Sequence, residues 1–329
     1  MRGLLYAEIN VEWPESAVYQ EMARAWLDGG FTTLAGGHRL ALETGPRLPP
    51  EAMRSSIPCG PPHAAWGFVS ITRHDGRQER RSARVISPRS MSWFLKQLAD
   101  PPRTATIDLS MLDERGYPGT AVLQIKVDRP EAKDWPDAID WAVLSCEIPE
   151  GELVDPVRQE VVLSFLRNIS EGLDPSFANI TYHDGLGKTG LERNLGPPWK
   201  FPRETIPTSR QALRGYEWWT ICPKELAAAV GGADALRASG AFHEVVKLPS
   251  GALWLQATEH YRDYGPDAYT AVFHALAPAL PPGTPKHFDR HEDEPAERIV
   301  YSDAGISHRS LISGRTEPKI LQGKSEPSE

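Results

Sequence analysis

Residues 215–283 decide the fold class, and they read GYEWWTICPKELAAAVGGADALRASGAFHEVVKLPSGALWLQATEHYRDYGPDAYTAVFHALAPALPPG. Each change of pattern falls at Gly or Pro, the residues that most strongly interrupt helices and strands. The stretch therefore predicts strand, helix, strand, turn, strand and helix. Pro223 and Pro266 stand at the first position of the two helical segments, and Gly240 ends the first segment. The turn PSG at 249–251 joins two β-rich runs into a hairpin.

The rest of the chain uses the same elements. Asp75 and Gly76 supply a hairpin turn between AAWGFVSIT and RSARVIS. Ser87 and Pro88 then start a helix, because Ser is a good N-cap and Pro suits the first helical position. Further strands are predicted at TATIDLSML, AVLQIKV, WAVLSCEI and FANITYH. Hairpins with helices to one side indicate an α+β protein built on antiparallel sheets.

A faint internal echo predicts two modules. Residues 1–102 and 215–282 both contain a helix, then Gly and Phe, then a hairpin, then a helix that ends in Pro-Pro. Ferredoxin-like β-α-β-β-α-β modules are the natural candidate for this pattern. We therefore expect an N-terminal module at 1–102, a second module at 103–283, and a polar, mobile tail at 284–329.

Charge and hydropathy exclude several classes of function. The formal net charge is −8 and the pI is about 5.7, so the chain lacks the basic balance of a nucleic-acid binder. No run of 18 apolar residues is present, which argues against a membrane span. The N-terminal apolar run is short and is interrupted by Glu8 and Glu12, so no signal peptide is indicated and a cytoplasmic location is expected. The oligomeric state is not indicated.

The cysteine and histidine patterns predict neither a metal site nor a cofactor. The three cysteines are widely spaced, without a CxxC pair, and are expected to be buried, inert thiols: Cys59, Cys146 and Cys222. His287 and His291 have the i, i+4 spacing of metal ligands, but they lie in a charged tail without an apolar shell to orient them. We expect these two side chains to be solvated.

Gly187, Lys188 and Thr189 follow a predicted strand in the manner of a phosphate-binding loop. Such a loop needs a glycine at position 182, where this chain has Tyr182. A different enzymatic hypothesis stays open. A hydrolase or transferase could work at a cleft near His183, Asp184 and Lys188, provided that His183 reaches a carboxylate in a concave pocket.

Aromatic residues offer two interpretations. Trp218, Trp219 and Trp254 lie on predicted strands, where successive side chains face opposite ways, so both faces must accommodate bulk. Core packing is the simpler explanation of this pattern. An aromatic surface that binds a partner is the alternative. The segment 259–264 combines rings with charges between a strand and a helix. Its proposed partner-binding residues, together with one tryptophan of the irregular connection, are Glu259, Tyr261, Asp263, Tyr264 and Trp199.

The segment YEWWTICPKELAAAVGGADALRASGAFHEVVKLPSGALWLQAT, followed by FHALAPALPPG, resembles bacterial type VI immunity family proteins. The shared features are the Tyr-x-Trp strand, the Glu-Leu helix, the Gly-Gly-x-x-x-Leu segment and the final Leu-Pro-Pro-Gly. The resemblance implies a non-enzymatic cytoplasmic protein that binds and occludes a cognate toxin, and it carries no catalytic residues. A protein partner, such as a secreted toxin, is therefore expected, and the acidic balance suits a basic one.

Overall fold

The computed structural model describes residues 3–12, 16–44, 58–75, 78–129, 141–182, 187–194, 201–281, 300–301 and 320–321. The chain divides into two compact units, Met1–Ser170 (unit 1) and Glu171–Glu329 (unit 2). Each unit contains an antiparallel sheet with helices, so the predicted α+β class is confirmed.

The sheet of unit 1 has the strand order β3-β2-β4-β5-β6-β1, and its neighbouring strands pair antiparallel. Its strands are long, and β1 pairs with β6 over nine residue pairs, from Leu4 opposite Pro149 to Glu12 opposite Trp141. The strand bounds are β1 Leu4–Glu12, β2 Ala65–Asp75, β3 Gln78–Val85, β4 Thr104–Leu112, β5 Pro118–Asp128 and β6 Trp141–Pro149.

The two faces of this sheet differ in polarity, as period-2 alternation requires. One face carries fully buried apolar side chains, among them Ile9, Ile107, Ile125 and Leu144. The other face carries polar residues, including Glu8, Asp108, Gln124, Lys126 and Glu147.

Helices of unit 1 pack on the apolar face. The indole Nε1 of Trp26 donates to the carbonyls of Lys126 and Ser145, at 3.0 and 3.2 Å. Trp26 lies in a π-helical turn, Ala25–Gly29, which joins the first two helices. The helix bounds are α1 Ser16–Arg24, α2 Gly30–Leu34, α3 Gly37–Thr44, α4 Pro88–Gln97, α5 Gly151–Val154 and α6 Pro156–Glu171, the last ending one residue inside unit 2.

The helix start predicted at Ser87 is confirmed. Ser87 Oγ accepts from the backbone N–H of Ser90 at 3.1 Å, and the backbone N–H of Ser87 donates to Ser90 Oγ at 2.8 Å. Pro88 occupies the first turn, as expected. This reciprocal arrangement satisfies two N–H groups at the helix start that have no partner within the helix.

Unit 2 contains a shorter antiparallel sheet with the order β7-β8-β10-β9. Trp219 and Trp254 are fully buried and meet edge to face, with ring centroids 4.9 Å apart. The bounds are β7 Pro175–Tyr182, α7 Gly190–Asn194, α8 Pro202–Thr205, β8 Trp219–Cys222, α9 Lys224–Ala227, α10 Gly232–Ala238, β9 Glu244–Lys247, β10 Leu253–Gln256 and α11 Pro266–Leu276.

The structure bears on three expectations about how the chain is organised: the modules, their boundary and the tail. Ferredoxin-like modules are not shown: in unit 1 the first strand pairs with β6, at the opposite end of the order from β3. The predicted division after 102 stays a prediction about modules, whereas the compact units divide after Ser170. Of the predicted tail 284–329, the described residues form one short ladder, β11 Val300–Tyr301 with β12 Ile320–Leu321.

The predicted burial of the cysteines is confirmed, and the tryptophans agree with one of their two interpretations. Cys59, Cys146 and Cys222 are buried free thiols. Burial raises the pKa of Cys146 and of Cys222 to about 12, so both stay protonated and unreactive at neutral pH. Trp218, Trp219 and Trp254 are buried as well, which favours core packing over an exposed aromatic surface.

Candidate functional site

The segment 259–264 forms a tight turn between β10 and α11, and Tyr261–Asp263 is one turn of 3₁₀ helix. Gln256 Nε2 at the end of β10 donates to the carbonyls of Thr258 and Glu259, both at 3.0 Å. Thr258 Oγ1 donates to the carbonyl of His260 at 2.8 Å. These hydrogen bonds fix the backbone of the segment, which we call the 259–264 loop.

Contacts with aromatic rings of neighbouring segments hold this loop in place. Tyr261 meets Trp218 edge to face, with ring centroids 5.4 Å apart, and the Trp218 indole donates to the Thr258 carbonyl at 3.0 Å. Tyr264 stacks on Tyr269 of α11 at 4.2 Å. Aromatic pairs of this kind contribute about 0.5–1.5 kcal/mol each beyond the burial of their area. The loop is therefore held in one conformation before any partner arrives.

The charged side chains of the loop face outward. Glu259, Arg262 and Asp263 are exposed, and Arg262 and Asp263 form a loose ion pair at 3.9 Å. An exposed pair of this kind contributes little to stability, so the charges of Arg262 and Asp263 are of little use to the fold. The predicted binding residues thus divide into anchors, Tyr261 and Tyr264, and outward charges, Glu259 and Asp263. Their binding role stays a prediction, and Trp199 lies outside the described residues.

A buried carboxylate lies beneath the loop, and the sequence did not reveal it. Glu217, only 8% exposed, accepts from Thr181 Oγ1 at 3.2 Å and from the Tyr269 hydroxyl at 3.0 Å. The backbone at Gly190 approaches so closely that a Cβ there would lie 2.7 Å from Glu217 Oε1. The available signal was a lone acidic residue between Tyr216 and Trp218, in the segment predicted from its sequence as the Tyr-x-Trp strand.

Tyr264 links the loop to this carboxylate. Burial raises the pKa of Tyr264 well above its usual value, and the neighbouring Tyr269 and Glu217 raise it further. Its hydroxyl is buried and has no hydrogen-bond partner among the described residues. A buried neutral hydroxyl beside a carboxylate is a donor placed to bind a water molecule.

The Gly-Lys-Thr segment caps a helix. The Thr189 backbone N–H donates to Glu192 Oε2 at 2.8 Å, and the Glu192 N–H donates to Thr189 Oγ1 at 3.1 Å. Glu192 also pairs with Arg214 at 2.9 Å, and both side chains are almost wholly buried. The helix that follows has only five residues, Gly190–Asn194. These contacts agree with the sequence argument against a phosphate-binding loop.

Lys188 is buried, with its Nζ 4.1 Å from the centre of the Phe201 ring. The other residues of the enzymatic hypothesis, His183 and Asp184, lie outside the described residues, as do His287 and His291. The geometry that this hypothesis requires of His183 is therefore untested, and the hypothesis stays open.

In the described part of the chain, no group of three or more His, Cys, Asp or Glu side chains is arranged to hold a metal ion. Among the same residues, no helix combines the length and the apolar character needed to cross a membrane.

Comparisons with known proteins give a likeness of fold. No family model and no curated protein matches the chain. Among solved structures, the chain is similar to the Pseudomonas aeruginosa T6SS protein PA0821, with a TM-score of 0.50 and 14% sequence identity. The matched region covers 84% of this chain and 77% of that one. At this identity the likeness concerns the fold alone.

Proposed function

We propose that this chain is a type VI secretion-associated protein that acts by binding, and specifically an immunity protein that occludes a cognate toxin. The fold likeness to a T6SS protein supports the association. The resemblance of residues 216–283 to type VI immunity proteins supports the narrower role. The observation that carries the binding hypothesis is the 259–264 loop, whose backbone and rings are fixed while its charges face outward.

Occlusion of a toxin requires affinity rather than chemistry. A loop that is already ordered loses little conformational entropy on binding, so more of the contact energy appears as affinity. Tyr261 and Tyr264 provide this order through Trp218 and Tyr269. Glu259 and Asp263 then present carboxylates to a basic partner. The net charge of −8 adds a long-range field that speeds encounter with such a partner.

The test is co-expression with the toxin-like product of the neighbouring reading frame, followed by a binding measurement on the purified pair. We expect rescue of growth and a submicromolar dissociation constant, equivalent to about −8 kcal/mol or stronger. The loop variant Glu259→Lys/Asp263→Lys should weaken binding by at least about tenfold. Absence of both rescue and submicromolar binding would refute the immunity role.

A matched control separates the loop from net charge. Glu114 and Glu171 are exposed and lie outside the loop. The variant Glu114→Lys/Glu171→Lys changes the net charge by the same amount as the loop variant. It should slow association slightly and leave the dissociation rate unchanged. Equal weakening by the two double variants would show that the partner binds elsewhere.

A further inference from the structure

Strand β3 is an exposed edge of the unit 1 sheet. Among the described strands it pairs with β2 alone, and residues 78–82 are exposed on both faces. The N–H of Ile86 donates to the carbonyl of Gly67 at 3.0 Å, which fixes the phase of the antiparallel ladder. Backbone groups of even-numbered residues in β3 therefore point toward β2, and those of odd-numbered residues point outward.

The backbone groups of Glu79, Arg81 and Ala83 form an outward-pointing row. This row has no strand partner among the described residues. The next outward carbonyl, of Val85, already accepts from Ser90 Oγ at 2.7 Å, which confirms the phase and sets the upper limit of the row. N–H and C=O groups that point outward from an edge strand are a template for another extended chain.

Within the part of the chain that the structure describes, β3 lacks the usual structural protections of an edge strand. The strand is eight residues long, its register with β2 is continuous, and it contains no proline. By contrast, the pairing of β4 with β5 contains register shifts. What β3 does carry is charge, since its sequence QERRSARV contains three arginines and one glutamate.

Two of these arginines are held in place by aromatic rings. The Arg81 guanidinium lies 5.3 Å from the centre of the Phe68 ring, and that of Arg84 lies 3.9 Å from the centre of the Trp93 ring. Residues 81 and 84 stand on opposite faces of the strand, because successive side chains alternate. Glu79 is already paired with Arg103 at 3.2 Å. The edge is therefore basic on both faces, in a chain whose net charge is −8.

We propose that β3 binds an extended acidic segment of another protein by strand addition. The net positive charge of the strand repels a second copy of β3 and attracts a strand rich in Glu or Asp. Backbone hydrogen bonds to residues 79–83 supply register, and Arg81 and Arg84 select the acidic sequence. This surface lies in unit 1 and does not depend on the 259–264 loop of unit 2 or on the function proposed for it.

The test uses the full chain and a fluorescent nine-residue peptide in which Glu-Glu and Thr-Thr pairs alternate, so that both faces of the added strand carry Glu. We expect saturable binding with a dissociation constant below about 100 µM. The variant Arg81→Glu/Arg84→Glu should weaken this binding by at least about tenfold. The control Arg39→Glu/Arg203→Glu reverses two other arginines that lie against rings, those of Phe31 and Phe201, and should bind as the wild type does.

A second probe tests strand addition on the unaltered protein. The same peptide with its central backbone amides N-methylated keeps its charge but loses donors on both edges, and it should bind at least about tenfold more weakly. Three outcomes would overturn the proposal: no saturable binding of the unmethylated peptide, equal binding of the two peptides, or equal weakening by the two double variants.

Discussion

Unit 1 and unit 2 both pair an arginine with a glutamate, but in opposite surroundings. Arg39 and Glu43 of unit 1 lie one helical turn apart on the surface, at 38% and 49% side-chain exposure. Arg214 and Glu192 of unit 2 are far apart in the chain and are 0% and 2% exposed. Loss of the first pair should change the stability of the fold very little, because water can solvate both side chains. The second holds an irregular connection together from inside.

The difference follows from the lengths of the strands. Unit 1 has strands of eight to eleven residues, and its long ladders with one apolar face supply the core. In unit 2, strands β8, β9 and β10 have four residues each. Less regular structure leaves more backbone to be satisfied by side chains, and Arg214, Thr189 and Glu192 meet that need in part.

The largest effect is expected from Arg214→Met. The substitution leaves Glu192 buried without its cation, which costs about 3–5 kcal/mol of unfolding free energy in comparable cases. Urea denaturation should show this loss, and Arg214→Met/Glu192→Met should recover part of it. The surface counterpart Arg39→Met should cost about 0.5 kcal/mol or less. Equal costs at the two sites would break the comparison.

The second-largest loss of stability is expected from a substitution on the apolar face of unit 1. Leu144 on β6 is fully buried, so Leu144→Ala removes apolar contacts and leaves a cavity, at a cost of about 2–5 kcal/mol. The same urea experiment measures it. Val157 is 72% exposed, and Val157→Ala should therefore stay within about 0.5 kcal/mol of the wild type. If Leu144→Ala leaves the free energy of unfolding unchanged, the stability of unit 1 does not depend on its apolar face.

A smaller effect is expected at the start of α4. Ser87→Ala removes the hydroxyl that accepts from the Ser90 N–H and should cost about 1 kcal/mol. Ser92 lies exposed in the same helix, so Ser92→Ala provides a matched control and should be neutral or slightly stabilising. Thermal unfolding followed by circular dichroism is sufficient. If both variants lose the same stability, the cap is not the cause.

The smallest effect concerns Asp108 on the polar face of unit 1. Burial raises the pKa of this carboxyl above its ordinary value of 3.8; a hydrogen bond from Gln124 opposes the shift, and Glu147 adds to it. A raised folded-state pKa means that the contribution of Asp108 is fully present below pH 3.8 and is lost as pH rises through the raised value.

Asp108→Asn should therefore stabilise the protein at pH 7, by about 1 kcal/mol or less, and the gain should vanish below pH 3.8. Urea denaturation across this pH range provides the measurement. Asp113 is the control, because hydrogen bonds from the backbone, the first from Tyr117, lower its pKa. Asp113→Asn should therefore destabilise the protein at pH 7, the opposite of the effect expected for Asp108→Asn. A gain for Asp108→Asn that persists at low pH would exclude ionisation as the cause.

The sequence predicted the elements whose causes are local. Strands β2 and β3 pair antiparallel on either side of the turn predicted at Asp75-Gly76, and the hairpin at 249–251 is present, because turn chemistry is written in two or three adjacent residues. The helix start at Ser87 was found for the same reason. The π-helical turn at Ala25–Gly29 was not, since the Trp26 indole there donates to two carbonyls that are 100 and 119 positions away in the sequence.

Long-range features were beyond the reach of sequence patterns. Nothing near Leu4–Glu12 indicates that this strand pairs with Trp141–Pro149. Of the candidate site, the charged and aromatic residues of 259–264 could be named from their composition. Their division into anchors and outward charges could not, because it depends on Trp218 and Tyr269. Glu217 was missed because its partners come from three separate segments.

The close approach of Gly190 to Glu217 has an evolutionary consequence. Alanine would favour the helix at position 190, yet its methyl group would collide with the carboxylate. An alanine at 190 therefore requires either that the Glu217 carboxylate shifts away from its hydrogen-bond partners or that position 217 becomes shorter. Among homologues, the two positions should covary, with glycine at 190 favoured where glutamate occupies 217.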